Sequence, residues 1–353
     1  MRLRSILLVL ALMAAPVLLL AQWDAEDSNT KASLRGIHRA GPGVAWASGT
    51  GGVILRSEDD GYLWQQCAAV EASPGDAAKL DFRGVWAWDA NHAIAMSSGP
   101  GKESRVYETL DGCAHWRLLS VNTDPEGFWD AIAFWNEHEG VLLGDPVKGR
   151  FVILRTSDGG KHWRRDDAPR LEADPRGEGA FAASNSALAL GMDGKSIYFA
   201  TGGEGGARVF RFARDGGSGS GHWSAARLPF THRGEGAGVF SLAFRDGRHG
   251  VAVGGDYTHA GQREDTAAWT EDGGATWRRA SEMPAGYRSA VEWDAELRAW
   301  IAVGPNGSDV SFDDGATWKA FDGSGWNALS LPWAVGAAGK IARLGGAASA
   351  HDH

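Results

Sequence analysis

Apolar residues in this chain come in short runs, and no long stretch repeats with helical periodicity. Alternation is visible in Gly43-Val-Ala-Trp-Ala-Ser48 and in Arg150-Phe-Val-Ile-Leu-Arg155, and Gly-rich turns separate such segments. The pattern predicts many short strands with tight turns, an all-β chain. One apolar run stands apart. Ile6–Leu20 follows Arg2 and Arg4 and ends near the small residue Ala21, which reads as a secretory signal over 1–21. At about 15 residues it is shorter than the roughly 20 a spanning helix needs. The rest divides into a single domain over 22–345 and a flexible tail over 346–353.

A turn motif repeats through that domain. It reads Ser57-Glu-Asp59-Asp60-Gly61-Tyr-Leu-Trp64, Thr109-Leu-Asp111-Gly112-Cys-Ala-His-Trp116, Thr156-Ser-Asp158-Gly159-Gly160-Lys-His-Trp163, Thr270-Glu-Asp272-Gly273-Gly274-Ala-Thr-Trp277 and Ser311-Phe-Asp313-Asp314-Gly315-Ala-Thr-Trp318. A stretched sixth copy holds Asp215-Gly216-Gly217 and Trp223. The hydroxyl and the carboxylate are turn-capping acceptors, the glycines admit positive φ, and the Trp opens the next strand with a large face to bury. The motif tryptophans recur at intervals of roughly 40–60 residues, the length of a propeller blade. A second marker precedes each turn: Leu34-Arg35-Gly36, Phe82-Arg83-Gly84, Trp129-Asp130-Ala131, Phe181-Ala182-Ala183, Phe240-Ser241-Leu242, Tyr287-Arg288-Ser289 and Trp326-Asn327-Ala328. Seven strand starts predict a seven-bladed β-propeller. Its last blade lacks a boxed turn, and Trp23, 11 residues before Leu34, supplies the outer strand that closes the ring.

Composition agrees, since 50 Gly and 17 Trp in 353 residues suit tight turns packed by aromatic faces. The net charge of −9, without a Lys/Arg-rich block, argues against a nucleic-acid partner. The two cysteines, Cys67 and Cys113, fall near one rim of adjacent blades, where an oxidising compartment favours a disulfide. No HExxH, GxSxG or phosphate-loop context is legible, so neither cofactor nor metal is expected.

The turn motif resembles the Asp-box (bacterial neuraminidase repeat) hairpin. Leu34-Arg35-Gly36, Val44-Ala-Trp46, Phe128-Trp-Asp130-Ala-Ile-Ala-Phe-Trp135, Gly144-Asp145-Pro146, Val253-Gly-Gly-Asp256 and Tyr287-Arg288-Ser289 together resemble exported bacterial propellers related to the photosystem II stability/assembly factor (Ycf48-like) family. That resemblance covers essentially all of 22–345 and implies a non-enzymatic binding or assembly protein, periplasmic or secreted. Its expected partner is a protein or peptide segment, of an envelope protein for instance. The label "oxidoreductase" that some of that group carry finds no dinucleotide fingerprint, haem motif or metal set here.

Read round the ring, the variable residue of the second marker gives Arg35, Arg83, Asp130, Ala182, Ser241, Arg288 and Asn327. Arg35, Arg83 and Arg288 are therefore expected on one half of the channel mouth, either clamping an acidic group or pairing with acids such as Asp81, Asp145 and Glu292. Asp130 faces them. Loop acids Asp145 and Asp256 occupy matching places after second strands, and Glu178 flanks the irregular fourth blade. These either bind or cap turns. The alternative function is a sialidase-like glycoside hydrolase or an acidic-glycan-binding protein, in which the arginines imitate a carboxylate-binding triad and Tyr257 or Tyr287 works with Glu292. The Arg-Ile-Pro segment typical of sialidases is absent. A monomer is expected in either case.

Overall fold

The computed structural model describes residues 22–70, 75–214 and 221–345. The signal-like segment over 1–21 and the tail over 346–353 lie outside the described residues, as does Asp215-Gly216-Gly217 of the stretched turn. The described chain is a seven-bladed β-propeller of antiparallel four-stranded sheets, whose only helical pieces are three-residue turns. Blades one to six open on the inner strands Leu34–Gly41, Phe82–Ala87, Trp129–Phe134, Leu188–Leu190, Ala237–Phe244 and Ala290–Asp294. Blade seven runs Ala328–Ser330, Trp333–Val335, Ile341–Gly345 and then Gln22–Glu26, taken from the other end of the described chain. Register Trp23↔Leu344 zips the ring shut. Trp23 is buried, donates from Nε1 to Ser308 Oγ of the neighbouring blade at 2.9 Å and lies 5.5 Å from the Trp326 ring.

The five repeated turns share one hydrogen-bond scheme. In each, the Ser or Thr hydroxyl donates to the Asp carboxylate and accepts the amide four residues on, as in Thr156 Oγ1 to Asp158 Oδ1 at 2.9 Å and Gly160 N to Thr156 Oγ1 at 2.9 Å. The carboxylate also accepts the amide four residues beyond itself, His162 N at 2.9 Å. Both residues after the Asp have positive φ in every copy, which explains the Gly and Asp usage. Cys113 stands where the other four turns have Gly, at φ 69°. Its sulfur is bonded to Cys67 of blade one, so the strained position carries a covalent tie between blades.

The motif tryptophans pack between sheets. Trp116 meets Trp46 of the preceding blade edge-on at 6.2 Å, and Trp64 meets Trp333 likewise at 6.4 Å. Trp163 is only half-buried, unlike Trp64, Trp116, Trp223, Trp277 and Trp318.

Blade four departs from the expected pattern. Its inner strand starts at Leu188, beyond the Phe181-Ala182-Ala183 marker, because Ala180–Ala187 is spent on a turn with Asn185 at φ 66°. A small ribbon, Glu178–Gly179 against Gly202–Gly203, then joins the inner strand of blade five at Gly202↔Gly238. The outer strands Arg208–Arg214 and Gly221–Arg227 pair as one long hairpin flanking the Gly/Ser-rich insertion.

Candidate functional site

Each inner strand turns an unpaired backbone edge toward the channel, a cost that must be met by hydrogen bonding. Side chains of neighbouring blades meet it. Asn185 brackets Ile132 by accepting its N–H at 2.8 Å and donating to its carbonyl at 2.9 Å. Ser241 accepts Val291 N–H at 2.9 Å, and Asn327 donates to Leu34 O at 2.8 Å. His38 accepts Ala87 N–H at 3.2 Å through Nδ1, and burial pushes its imidazole down to about 4, which keeps it neutral. Gly84 makes room for this lacing, since a Cβ there would sit 2.8 Å from Asn185 Oδ1.

At the end where the inner strands start, β-bulges re-aim one residue per strand. The register shifts between Leu34 and Gly36, Phe82 and Gly84, Trp129 and Ala131, and Val239 and Ser241. The bulged residues are therefore Arg35, Arg83, Asp130 and Phe240. This corrects the ring expected from sequence in two blades. In blade five the bulged residue is Phe240, whereas Ser241 belongs to the lacing. In blade six, Arg288 takes the place of Leu34, Val239 and Trp326 at the entry to the inner strand. All four donate their N–H across to the preceding blade, to Gly254 O, Gly336 O, Thr201 O and Gly304 O respectively. A slip of one residue turns a side chain to the opposite side.

Arg288 accordingly does not join the other two arginines. It is 0% exposed, donates from Nε to Asp309 Oδ2 at 2.6 Å and from Nη1 to Tyr287 O at 2.8 Å and Asn306 Oδ1 at 2.6 Å. Asp309, its ion-pair partner, is the group the sequence reading missed. The readable signal was one acid inside the strand Gly307–Ser311, where a charge needs a partner.

Arg35 and Arg83 do come together. Arg83 donates from Nε to Asp81 at 2.8 Å and from Nη1 to Ala182 O at 3.1 Å, reaching blade four. Arg35 makes no hydrogen bond or ion pair among the described residues, and its Nε is buried without a partner. Burial and then the Arg83 charge lower its pKa, against the pull of Asp81. Asp130, 1% exposed, has one carboxylate oxygen without a partner. Its pKa is pushed well up by burial and by Asp145, with Arg83 opposing. Asp145 accepts Ala180 N–H at 2.9 Å and is also raised by burial.

The other loop acids are occupied. Glu178 is buried in an ion pair with Arg208 and accepts Thr201 Oγ1 at 2.6 Å, which braces the extra ribbon. Asp256 caps the turn Tyr257–His259 through Thr258 N at 2.8 Å and holds His259 at 2.8 Å and His232 at 3.2 Å. Glu292 sits in the inner strand Ala290–Asp294 of blade six. Its partners are Leu331 N–H at 2.8 Å and the charges of Asp294 and Arg39. Tyr287 instead feels Arg35 and Tyr257, and burial raises its phenol. Neither Tyr257 nor Tyr287 is among the groups that act on Glu292.

Glu292 links blade six to blade seven, and burial pushes its carboxyl up to about 7 from an ordinary 4.5. The folded state thus holds this proton more tightly than the unfolded chain. Its contribution to stability is complete below pH ~4.5 and is lost as pH rises through about 7. At 1.36 kcal/mol per pKa unit, the loss is up to about 3 kcal/mol. Glu292→Gln keeps an acceptor for Leu331 and removes the charge. Melting temperatures measured from pH 5 to pH 8 should fall for the parent and stay flatter for the variant, and parallel curves would refute the assignment.

No family model and no curated protein matches the chain. Solved structures do, at identities that speak to fold alone. "YCF48 bound to D1 peptide" is 14% identical with TM-score 0.59, covering 91% of this chain and 94% of that one. "YCF48 from Cyanidioschyzon merolae" is 17% identical with TM-score 0.63, covering 91% and 98%. A GH74 enzyme from Niastella koreensis is 15% identical with TM-score 0.56, covering 88% of this chain and 52% of that one. These neighbours share the propeller fold with this chain, a fold that a GH74 enzyme also carries.

Proposed function

We propose that this protein is an exported, non-enzymatic propeller that captures a protein or peptide segment at its channel mouth through an acidic group held by Arg35 and Arg83. The observation that carries the reading is Arg35 itself, a partly buried guanidinium beside a second arginine, with a buried Nε and no ion pair of its own. Like charges held together out of water are costly, and an incoming carboxylate would relieve that cost. A peptide complex of a fold neighbour supports a peptide rather than a small molecule as ligand. Export is supported by the apolar run behind Arg2 and Arg4 and by the Cys67–Cys113 disulfide, a bond that oxidising compartments sustain. The partner would then be a segment of an envelope protein met by a monomeric propeller, and the repeated turns would be Asp-boxes serving as scaffold.

Fluorescence anisotropy with short acidic peptides tests this. Arg35→Ala should weaken binding by about 30-fold or more, the effect of removing one partner of a desolvated charge pair at ~2–5 kcal/mol. It should leave the melting temperature unchanged or slightly higher, because Arg35 holds nothing in the fold. Unchanged affinity in Arg35→Ala would end the proposal.

A further inference from the structure

The bulge position held by Arg35, Arg83 and Asp130 in blades one to three is held in blade five by Phe240, which is buried. Phe181 stacks on Phe240 at 3.8 Å between centroids and 11° between planes, and the Tyr287 ring meets Phe240 edge-on at 4.7 Å. Tyr257 closes the group at 6.1 Å from Phe240 and 6.5 Å from Tyr287, and it is 52% exposed. Three of the four rings are thus held by one another, while the fourth offers its side to solvent. Tyr287 also ties this group to the cationic half, for its phenol feels the Arg35 charge. A half-exposed ring backed by three others, beside a partly buried arginine pair, is complementary to a ligand with an apolar side chain and a carboxylate close together.

We infer that the mouth is bipartite. Arg35 and Arg83 hold a carboxylate, and the shelf of Tyr257 over Phe240, Phe181 and Tyr287 takes an aromatic or branched apolar side chain of the same peptide. One ring bridges the two halves, so the side chain and the carboxylate lie about one to three residues apart at roughly 3.3 Å per extended residue. The inference rests on the reading of Arg35 and Arg83 as an anion clamp and adds a sequence preference to it. A rigid aromatic shelf selects strongly because little side-chain entropy is lost when it is covered.

The test uses labelled synthetic peptides with a C-terminal carboxylate and either Phe or Ala two residues before it, and the same pair as C-terminal amides. The parent protein should bind the Phe acid at least about tenfold more tightly than the Ala acid. Tyr257→Ala should erase that difference while leaving the Ala acid unaffected, and Tyr257→Phe should restore it. Tyr257 is exposed, so a melting curve matching the parent separates loss of the shelf from loss of fold. Equal binding of the Phe and Ala acids, with Arg35→Ala still harmful, overturns the shelf alone. Indifference to amidation and to Arg35→Ala overturns the anion clamp beneath it.

Discussion

A chain starting at Asp27 should fail to give a stable monomer, whereas the chain starting at Gln22 should give one. Gln22–Glu26 is the outer strand of blade seven, and its removal strips the hydrogen-bonded partner from Ile341–Gly345. An open edge of that kind recruits other chains. The packing loss is larger still. Trp23 covers Trp326 and approaches Phe321 at 6.4 Å, and loss of a buried aromatic costs ~3–5 kcal/mol. Glu26 accepts Trp64 Nε1 at 2.8 Å, so the strand also anchors blade one from across the seam. Against a typical net stability of about 5–15 kcal/mol, the sum is enough to open the ring. Light scattering after gel filtration should show aggregates for the truncated chain. Trp23→Ala, which keeps the backbone strand, should melt lower yet remain monomeric. A truncated chain that is monomeric and melts within about two degrees of the parent would show that the ring closes by other means.

The architecture was legible because its signals are local and repeated. The turn motif names its own hydrogen bonds, and the spacing of the tryptophans sets the blade length. Trp23 announces an outer strand with no blade of its own beside it. The site was legible in part, for a physical reason. Which residue of a three-residue marker enters the mouth depends on one bulge, and a bulge is fixed by contacts between blades that the strand does not record. In blades one to three an apolar residue followed by a polar one betrayed the bulge, as at Leu34-Arg35. In blade five Phe240 looked like the buried anchor because Val239 before it, also apolar, is the true one. In blade six Tyr287-Arg288-Ser289 imitates Phe82-Arg83-Gly84, and only the N–H of Arg288 reaching Gly254 O reveals the offset. Blade four shows the opposite case, in which the Ser and Asn side chains of 184–186 serve neighbouring edges instead of starting a strand.

Arg288→Ala should unfold the protein rather than disarm it. The guanidinium is fully buried between the chain at Tyr287 and the carboxylate of Asp309, which is itself 1% exposed and also accepts Ala285 N–H at 3.1 Å. Removing the arginine leaves Asp309 charged, buried and short of a partner. Breaking a buried pair from one side costs ~3–5 kcal/mol, whereas replacing both partners by apolar groups is often neutral. The unfolding free energy of Arg288→Ala should therefore drop by that amount, read as a lower denaturant midpoint with an unchanged slope. Arg288→Met combined with Asp309→Leu should recover much of the loss, although Asn306 Oδ1 and Tyr287 O lose a donor and keep the recovery incomplete. Peptide affinity, measured where each variant is still folded, should be near that of the parent, in contrast to Arg35→Ala. The reverse pattern, parental stability with binding abolished, would return Arg288 to the channel mouth and restore a clamp of three arginines.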